Sequence, residues 1–91
     1  MEERFGLRGQ LRRAAVSAAT NIVEGSARRT TREYASFLNI ATASSAEALY
    51  LVELSGRLGM LRADACAPVI ERFTELVKGL KSLVNSLDGH P

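Results

Sequence analysis

The sequence is poor in residues that stabilise small secreted domains, with one cysteine and no tryptophan among 91 residues. A single cysteine, Cys66, cannot form a disulfide within this chain, and it is compatible with a reducing compartment. We expect it to be a small buried apolar side chain. The sequence also lacks the basic segment followed by an apolar segment that is typical of a secretory signal peptide. It has no uninterrupted run of about 18 apolar residues, the length needed to span a membrane. We therefore expect a soluble, cytoplasmic protein.

Sequence patterns typical of enzymes and metal sites are also missing. His90 is the only histidine and lies in the C-terminal tail. Neither H-E-x-x-H, paired C-x-x-C, G-x-G-x-x-G nor a P-loop occurs. Glu24 and Glu47 could imitate a dicarboxylate site, but the Glu-x-x-His motif of di-iron bundles is absent. We predict no catalytic residues, no metal and no cofactor.

The length and composition indicate one small globular domain covering residues 1–91. Apolar residues make up 46% and charged residues 24% of the chain, which is close to the average for globular proteins. A chain of this length builds one modest core. Seven of the twelve basic residues fall in the first 32 positions, so the N-terminal third carries most of the positive charge.

Three helical segments account for nearly the whole sequence, so we predict an all-α, up-and-down antiparallel helix bundle. Thr30 and Glu33 form the T-x-x-E pattern of a helix N-terminus, and Gly59 suits a left-handed C-terminal position. Gly25 is expected to weaken the last turn of the first helix. The predicted helices cover residues 7–27, 31–58 and 63–87.

Apolar residues on the first two helices cover more surface than a three-helix bundle can bury. The third helix is one-sided, whereas apolar residues on the second spread over more than half its circumference. The first helix adds Val16, Ala19 and Val23 outside its main apolar stripe. This pattern favours contact with a further helix or subunit. A monomeric bundle with scattered exposed apolar residues remains the alternative.

Several polar residues on the helices invite a structural explanation. Asn21 and Glu24 lie one turn apart, and Glu24 precedes Arg28 by four residues, the favourable order for a weak ion pair. Glu47 has apolar or small neighbours one and two turns away, which would desolvate its carboxylate. We hypothesise that Arg13 or Asn21 of a neighbouring helix pairs with Glu47 and fixes the helix register.

Arginines form the strongest candidate binding feature. Their planar guanidinium groups suit phosphate contacts, and repetition of the cluster in an oligomer would create a cationic surface. An ordinary solvated turn is the alternative. The candidate nucleic-acid-binding residues are Arg12, Arg13, Arg28, Arg29 and Arg32.

The sequence also resembles a known family. The similarity rests on Arg-Arg-Ala-Ala-Val-Ser at 12–17, Asn-Ile-Val-Glu-Gly at 21–25, Arg28-Arg29, Ala-Ser-Ser-Ala-Glu at 43–47 and Arg-Leu-Gly-Met-Leu at 57–61. These motifs resemble the small bacterial four-helix-bundle proteins of intervening sequences in large-subunit ribosomal RNA genes. The accessory proteins of diversity-generating retroelements are similar.

The resemblance implies a non-catalytic four-helix protomer, commonly assembled as a pentamer. It also implies a basic surface that in the retroelement relatives engages nucleic acid and reverse transcriptase. Relative to that pattern, the chain lacks most of the family's first helix, so three full helices are expected here. The leading hypothesis is a homo-oligomer that binds RNA or DNA. The runner-up is a protein-interaction scaffold whose apolar helix faces dock another polypeptide.

Overall fold

A computed structural model of the chain describes the backbone of residues 2–88 and the side chains of residues 6–87. Residues 2–88 are helical apart from two short turns. The prediction of an all-α bundle is confirmed. The first helix begins five residues earlier than the apolar pattern suggested. The three helices are α1 (Glu2–Ser26), α2 (Thr31–Arg57) and α3 (Ala63–Asp88).

Local side-chain chemistry explains both ends of α2. The Thr30 hydroxyl oxygen accepts a hydrogen bond from the Glu33 backbone N–H at 3.1 Å, as the T-x-x-E pattern predicts. The Glu33 carboxylate accepts the Thr30 hydroxyl proton at 2.9 Å, rather than a backbone N–H. After the last turn Gly59 has φ +74°, and the Met60 N–H donates to the Ser55 carbonyl at 2.9 Å. This Schellman-type ending confirms the predicted role of Gly59.

The three helices form a thin, open layer with α2 in the middle. Helix α2 packs against both α1 and α3, but no Cα atom of α1 approaches one of α3 within 8 Å among the described residues. The layer measures 49 × 21 × 13 Å. Since α1 and α3 do not contact each other through their backbones, one side of each helix faces an open seam.

The core lies along the side of α2 that faces α1 and α3. Ala41 and Ala48 of α2 are fully buried, and so is Ser45 between them. Ile22 of α1 packs against the cluster that contains Ala41, while Phe73 of α3 packs against the one that contains Ala48. Small side chains on α2 therefore leave room for larger ones from both flanking helices to pack against it.

Gly25 has a role that its sequence context did not reveal. An added Cβ at this buried residue would lie 2.9 Å from the Phe37 Cβ and 3.0 Å from the Tyr34 Cδ1. Gly25 thus allows close contact between the C-terminal end of α1 and the start of α2. The expectation that it weakens the last turn is incomplete, because close packing against α2 requires it.

Candidate nucleic-acid interface

The turn between α1 and α2 gathers three of the five candidate arginines at one end of the layer. Arg28 is held in place: its Nη2 donates to the Glu24 carboxylate and its Nε to the Glu24 backbone carbonyl, at 3.0 and 3.1 Å. Its guanidinium carbon also lies 5.2 Å from the centre of the Phe37 ring. The predicted Glu24–Arg28 pair is therefore present, and it fixes the orientation of one arginine.

Arg29 and Arg32 are the arginines at this turn that stay available for a ligand. Both are exposed, and within the described side chains neither makes a hydrogen bond or ion pair. Arg29 lines a shallow, mostly polar depression with Arg28 and Glu33. Two acidic side chains, Glu24 and Glu33, lie beside the three arginines. The turn thus carries a small net positive charge, and the arginines that are not engaged in an ion pair there are Arg29 and Arg32.

Arg12 and Arg13 lie elsewhere on α1. Sixteen residues separate Arg12 from Arg28, which corresponds to about 24 Å along a helix. Both side chains are exposed, and the guanidinium group of Arg13 lies close to Gly9, towards the start of the helix. The five candidate arginines therefore form two groups instead of one continuous patch.

Asn21 belongs to a polar contact between α1 and α2. Its amide donates to the Ser17 carbonyl at 2.8 Å and lies 3.3 Å from the Ser17 hydroxyl oxygen. The two hydroxyl groups of Ser17 and Ser44 are 2.8 Å apart and join the helices. Ser17 and Ser44 were not predicted as partners, because the sequence does not reveal which residues of two helices lie at the same level.

The expected pairing of Glu47 is wrong within a single chain. Glu47 is exposed, and no hydrogen bond or ion pair reaches it from any described side chain. Asn21 is occupied by Ser17, and Arg13 points towards Gly9. The physical reason is that Glu47 lies at the edge of the side of α2 that contacts the other helices: Leu51, one turn later, is buried, whereas Ile40, two turns earlier, is exposed.

Two further observations bear on what the surface can do. No helix in the part of the chain that the structure describes is long and apolar enough to cross a membrane. Over the same residues, no three His, Cys, Asp or Glu side chains converge as a metal site would require. Cys66 is free and buried, as predicted.

Comparison with known proteins agrees with the helical architecture. No curated protein matches the chain. A family model described as 23S rRNA-intervening sequence protein matches residues 1–82, which is most of the chain. The matched segment includes all of α1 and α2 and most of α3. The chain therefore belongs to the 23S rRNA-intervening sequence protein family.

Proposed function

We propose that this protein is a non-enzymatic homo-oligomer that binds RNA or DNA through the arginines at the α1–α2 turn. The observation that supports the proposal is the exposure of Arg29 and Arg32 next to an orientated Arg28. Guanidinium groups bind phosphate oxygens in a bidentate geometry. Because Arg28 is already paired with Glu24, Arg29 and Arg32 would make the main phosphate contacts. Since RNA and DNA share the phosphate group, both are tested as ligands.

Oligomerisation would supply what one chain lacks. Two exposed arginines give a modest electrostatic attraction, but each added subunit repeats them on the same assembly. Arg12 and Arg13, about 24 Å from the turn, would extend the basic surface along α1. The assembled protein would then present enough phosphate contacts for measurable binding at physiological salt.

The outer face of α2 is the surface that we assign to contact between subunits. Ile40, Glu47 and Leu54 repeat every seven residues on this face, and Leu58 continues it four residues later. Ile40 and Leu58 are 47% and 52% exposed. Burial of this row against another subunit would desolvate Glu47, so a basic partner from that subunit would have to pair with it. We therefore propose that Glu47 fixes the register between helices of neighbouring subunits instead of between helices of one chain.

The assembly surface is tested by size-exclusion chromatography with light scattering. Wild-type protein should elute as an oligomer, and Ile40→Glu together with Leu58→Glu should yield a monomer with unchanged helical circular dichroism. Glu47→Ala should shift the oligomer towards smaller species or lower its thermal stability. The assignment would be contradicted if the wild-type protein is a monomer, or if none of the three substitutions changes the size or stability of the oligomer.

Nucleic-acid binding is tested by fluorescence anisotropy with labelled single-stranded RNA, duplex RNA and duplex DNA. Wild-type binding should weaken steeply between 50 and 200 mM salt, because phosphate contacts release counterions. Changing Arg28, Arg29 and Arg32 together to Gln should weaken binding to every probe. Unchanged binding by the triple variant would refute the assigned surface.

The alternative function is a protein-interaction scaffold whose arginines merely keep it soluble. The exposure of large apolar side chains favours it, including Val16 at 57% and Val23 at 67%. Apolar docking changes little with salt, whereas phosphate binding falls steeply. A partner whose binding is insensitive to salt and to the triple arginine substitution would support the scaffold.

A further inference from the structure

The depression at the α1–α2 turn combines basic and acidic side chains in one small space. It has a volume of about 310 Å³ and is lined by Ala27, Arg28, Arg29 and Glu33. Binding sites for small molecules occupy about 300 to 1,000 Å³, so the depression lies at the lower end of that range. A surface that only attracts phosphate groups gains nothing from a carboxylate, because negative charges repel each other. The position of Glu33 therefore indicates a second role for the depression.

Glu33 keeps hydrogen-bonding capacity that the start of α2 does not use. Its Oε1 accepts the Thr30 hydroxyl proton at 2.9 Å. Among the described residues, no donor reaches the Oε2 of Glu33, and the side chain is exposed. An ionised carboxylate has about four lone-pair sites for hydrogen bonds. Glu33 can therefore accept N–H groups of a ligand while it remains bound to Thr30.

Arg28 gives the same depression a planar surface with a fixed orientation. Its guanidinium group donates to Glu24 through Nε and Nη2, and its central carbon lies 5.2 Å from the centre of the Phe37 ring. The Arg28 side chain still has 37% of its surface exposed. Unpaired bases stack on the planes of arginine guanidinium groups as well as on aromatic rings. Arg28 can thus support a base without losing its ion pair with Glu24.

We propose that the depression binds one unpaired nucleotide of an RNA or DNA strand, with guanine as the preferred base. The proposal rests on the proposed function, because the same turn would hold the phosphate groups. Arg29 and Arg32 would contact the phosphates, and the base would stack on Arg28. The Glu33 carboxylate would accept hydrogen bonds from N–H groups of the base.

The chemistry of the bases explains both the preference and the need for an unpaired nucleotide. Guanine has two neighbouring N–H donors, at N1 and N2, on its Watson–Crick edge, and these match the two oxygens of a carboxylate. Each of the other standard bases offers one donor group on this edge. In a duplex the partner base occupies the edge, so Glu33 cannot reach it. Single strands that contain guanine should therefore bind best.

The first test is fluorescence anisotropy of the full-length protein with labelled strands of nine nucleotides at one salt concentration. An all-uridine RNA is compared with the same RNA carrying one central guanosine. We expect the guanosine to tighten binding at least fivefold, the lower limit for a bidentate contact to a base. Duplexes of the two strands with their complements should bind equally. Equal affinities of the two single strands would overturn the proposal.

DNA strands of matching design test whether the sugar matters. An all-thymidine strand and the same strand with one central deoxyguanosine should show the same preference for guanine, because the assigned contacts involve only base and phosphate. A preference in RNA but not in DNA would contradict these contacts, since it would require recognition of the 2′-hydroxyl group.

Glu33→Gln separates base recognition from phosphate attraction. The Gln side-chain carbonyl can still accept the Thr30 hydroxyl proton, so the start of α2 is kept. We expect this variant to bind strands with and without guanine within twofold of each other. Glu75→Gln removes the same charge from an exposed position of α3 and should keep the wild-type preference. If Glu33→Gln tightens binding of every strand and the preference persists, Glu33 only repels phosphate and the proposal is wrong.

The same probes distinguish failure of this proposal from failure of the proposed function. Suppose that the change of Arg28, Arg29 and Arg32 to Gln weakens binding of all strands, but that wild type does not prefer guanine. The turn is then a phosphate site, and base recognition alone is wrong. If the triple substitution changes binding of no strand, the turn is not the nucleic-acid surface and both proposals are wrong.

Discussion

Replacement of Gly25 by alanine tests the close approach of α1 and α2 directly. The new Cβ would lie 2.9 Å from the Phe37 Cβ, 3.0 Å from the Tyr34 Cδ1 and 3.4 Å from the Tyr34 carbonyl oxygen. The Phe37 Cβ is attached to the backbone of α2, so the two helices must move apart. Overpacking of this kind costs about 1 to 3 kcal/mol. Gly25 is the second-last residue of α1, so the helix propensity of alanine contributes less there than the roughly 1 kcal/mol that it contributes in the middle of a helix.

Gly79→Ala is the matched control, because an added Cβ at this exposed position in the middle of α3 meets nothing within 4 Å. It should stabilise the protein by about 0.5 to 1 kcal/mol through helix propensity alone. Urea unfolding followed by circular dichroism, at one fixed protein concentration, compares the three proteins. The two variants should differ by about 2 kcal/mol in unfolding free energy. A Gly25→Ala protein as stable as Gly79→Ala would refute the close packing.

Two further predictions concern serine hydroxyl groups that are buried or half-buried. The fully buried Ser45 hydroxyl has no hydrogen-bond partner among the described atoms. Ser45→Ala should therefore stabilise the protein by about 1 kcal/mol more than Ser36→Ala, which changes an exposed residue of α2. Equal changes in the melting temperature of the two variants would contradict this. Ser17 and Ser44 share a hydrogen bond, so a double-mutant cycle with alanine at both should show a coupling of about 0.5 to 1.5 kcal/mol in urea unfolding, and no coupling would argue against the contact.

Local sequence signals predicted the helices and their caps well. Apolar spacing, the T-x-x-E pattern and a single glycine act within a few residues, so one sequence is enough to recognise them. Thr30 and Gly59 show this: both are found in the predicted roles. The start of α1 was placed too late, because the apolar stripe begins at Leu7 while the helical backbone extends back to Glu2.

Contacts between helices were predicted less well. The sequence showed that Glu47 had apolar neighbours, but it could not show that Leu51 faces the core while Ile40 is exposed. That choice depends on which side of α2 receives α1 and α3, a property of the whole fold. The packing role of Gly25 was missed for the same reason, since Phe37 becomes its neighbour only after the helices pack. The five arginines likewise form two groups, two on α1 and three at the α1–α2 turn.

The salt dependence of RNA binding tests the central claim most directly. The comparison is between wild type, Arg29→Gln with Arg32→Gln, and a control with Lys78→Gln and Lys81→Gln, which removes the same charge from exposed positions of α3. A single-stranded RNA contact contributes about 0.7 to the slope of log affinity against log salt. We predict that the arginine variant lowers the slope by about 1.4 for each bound subunit, while the lysine control keeps the wild-type slope. Equal slopes for all three proteins, or an equal decrease in both variants, would contradict binding at the α1–α2 turn.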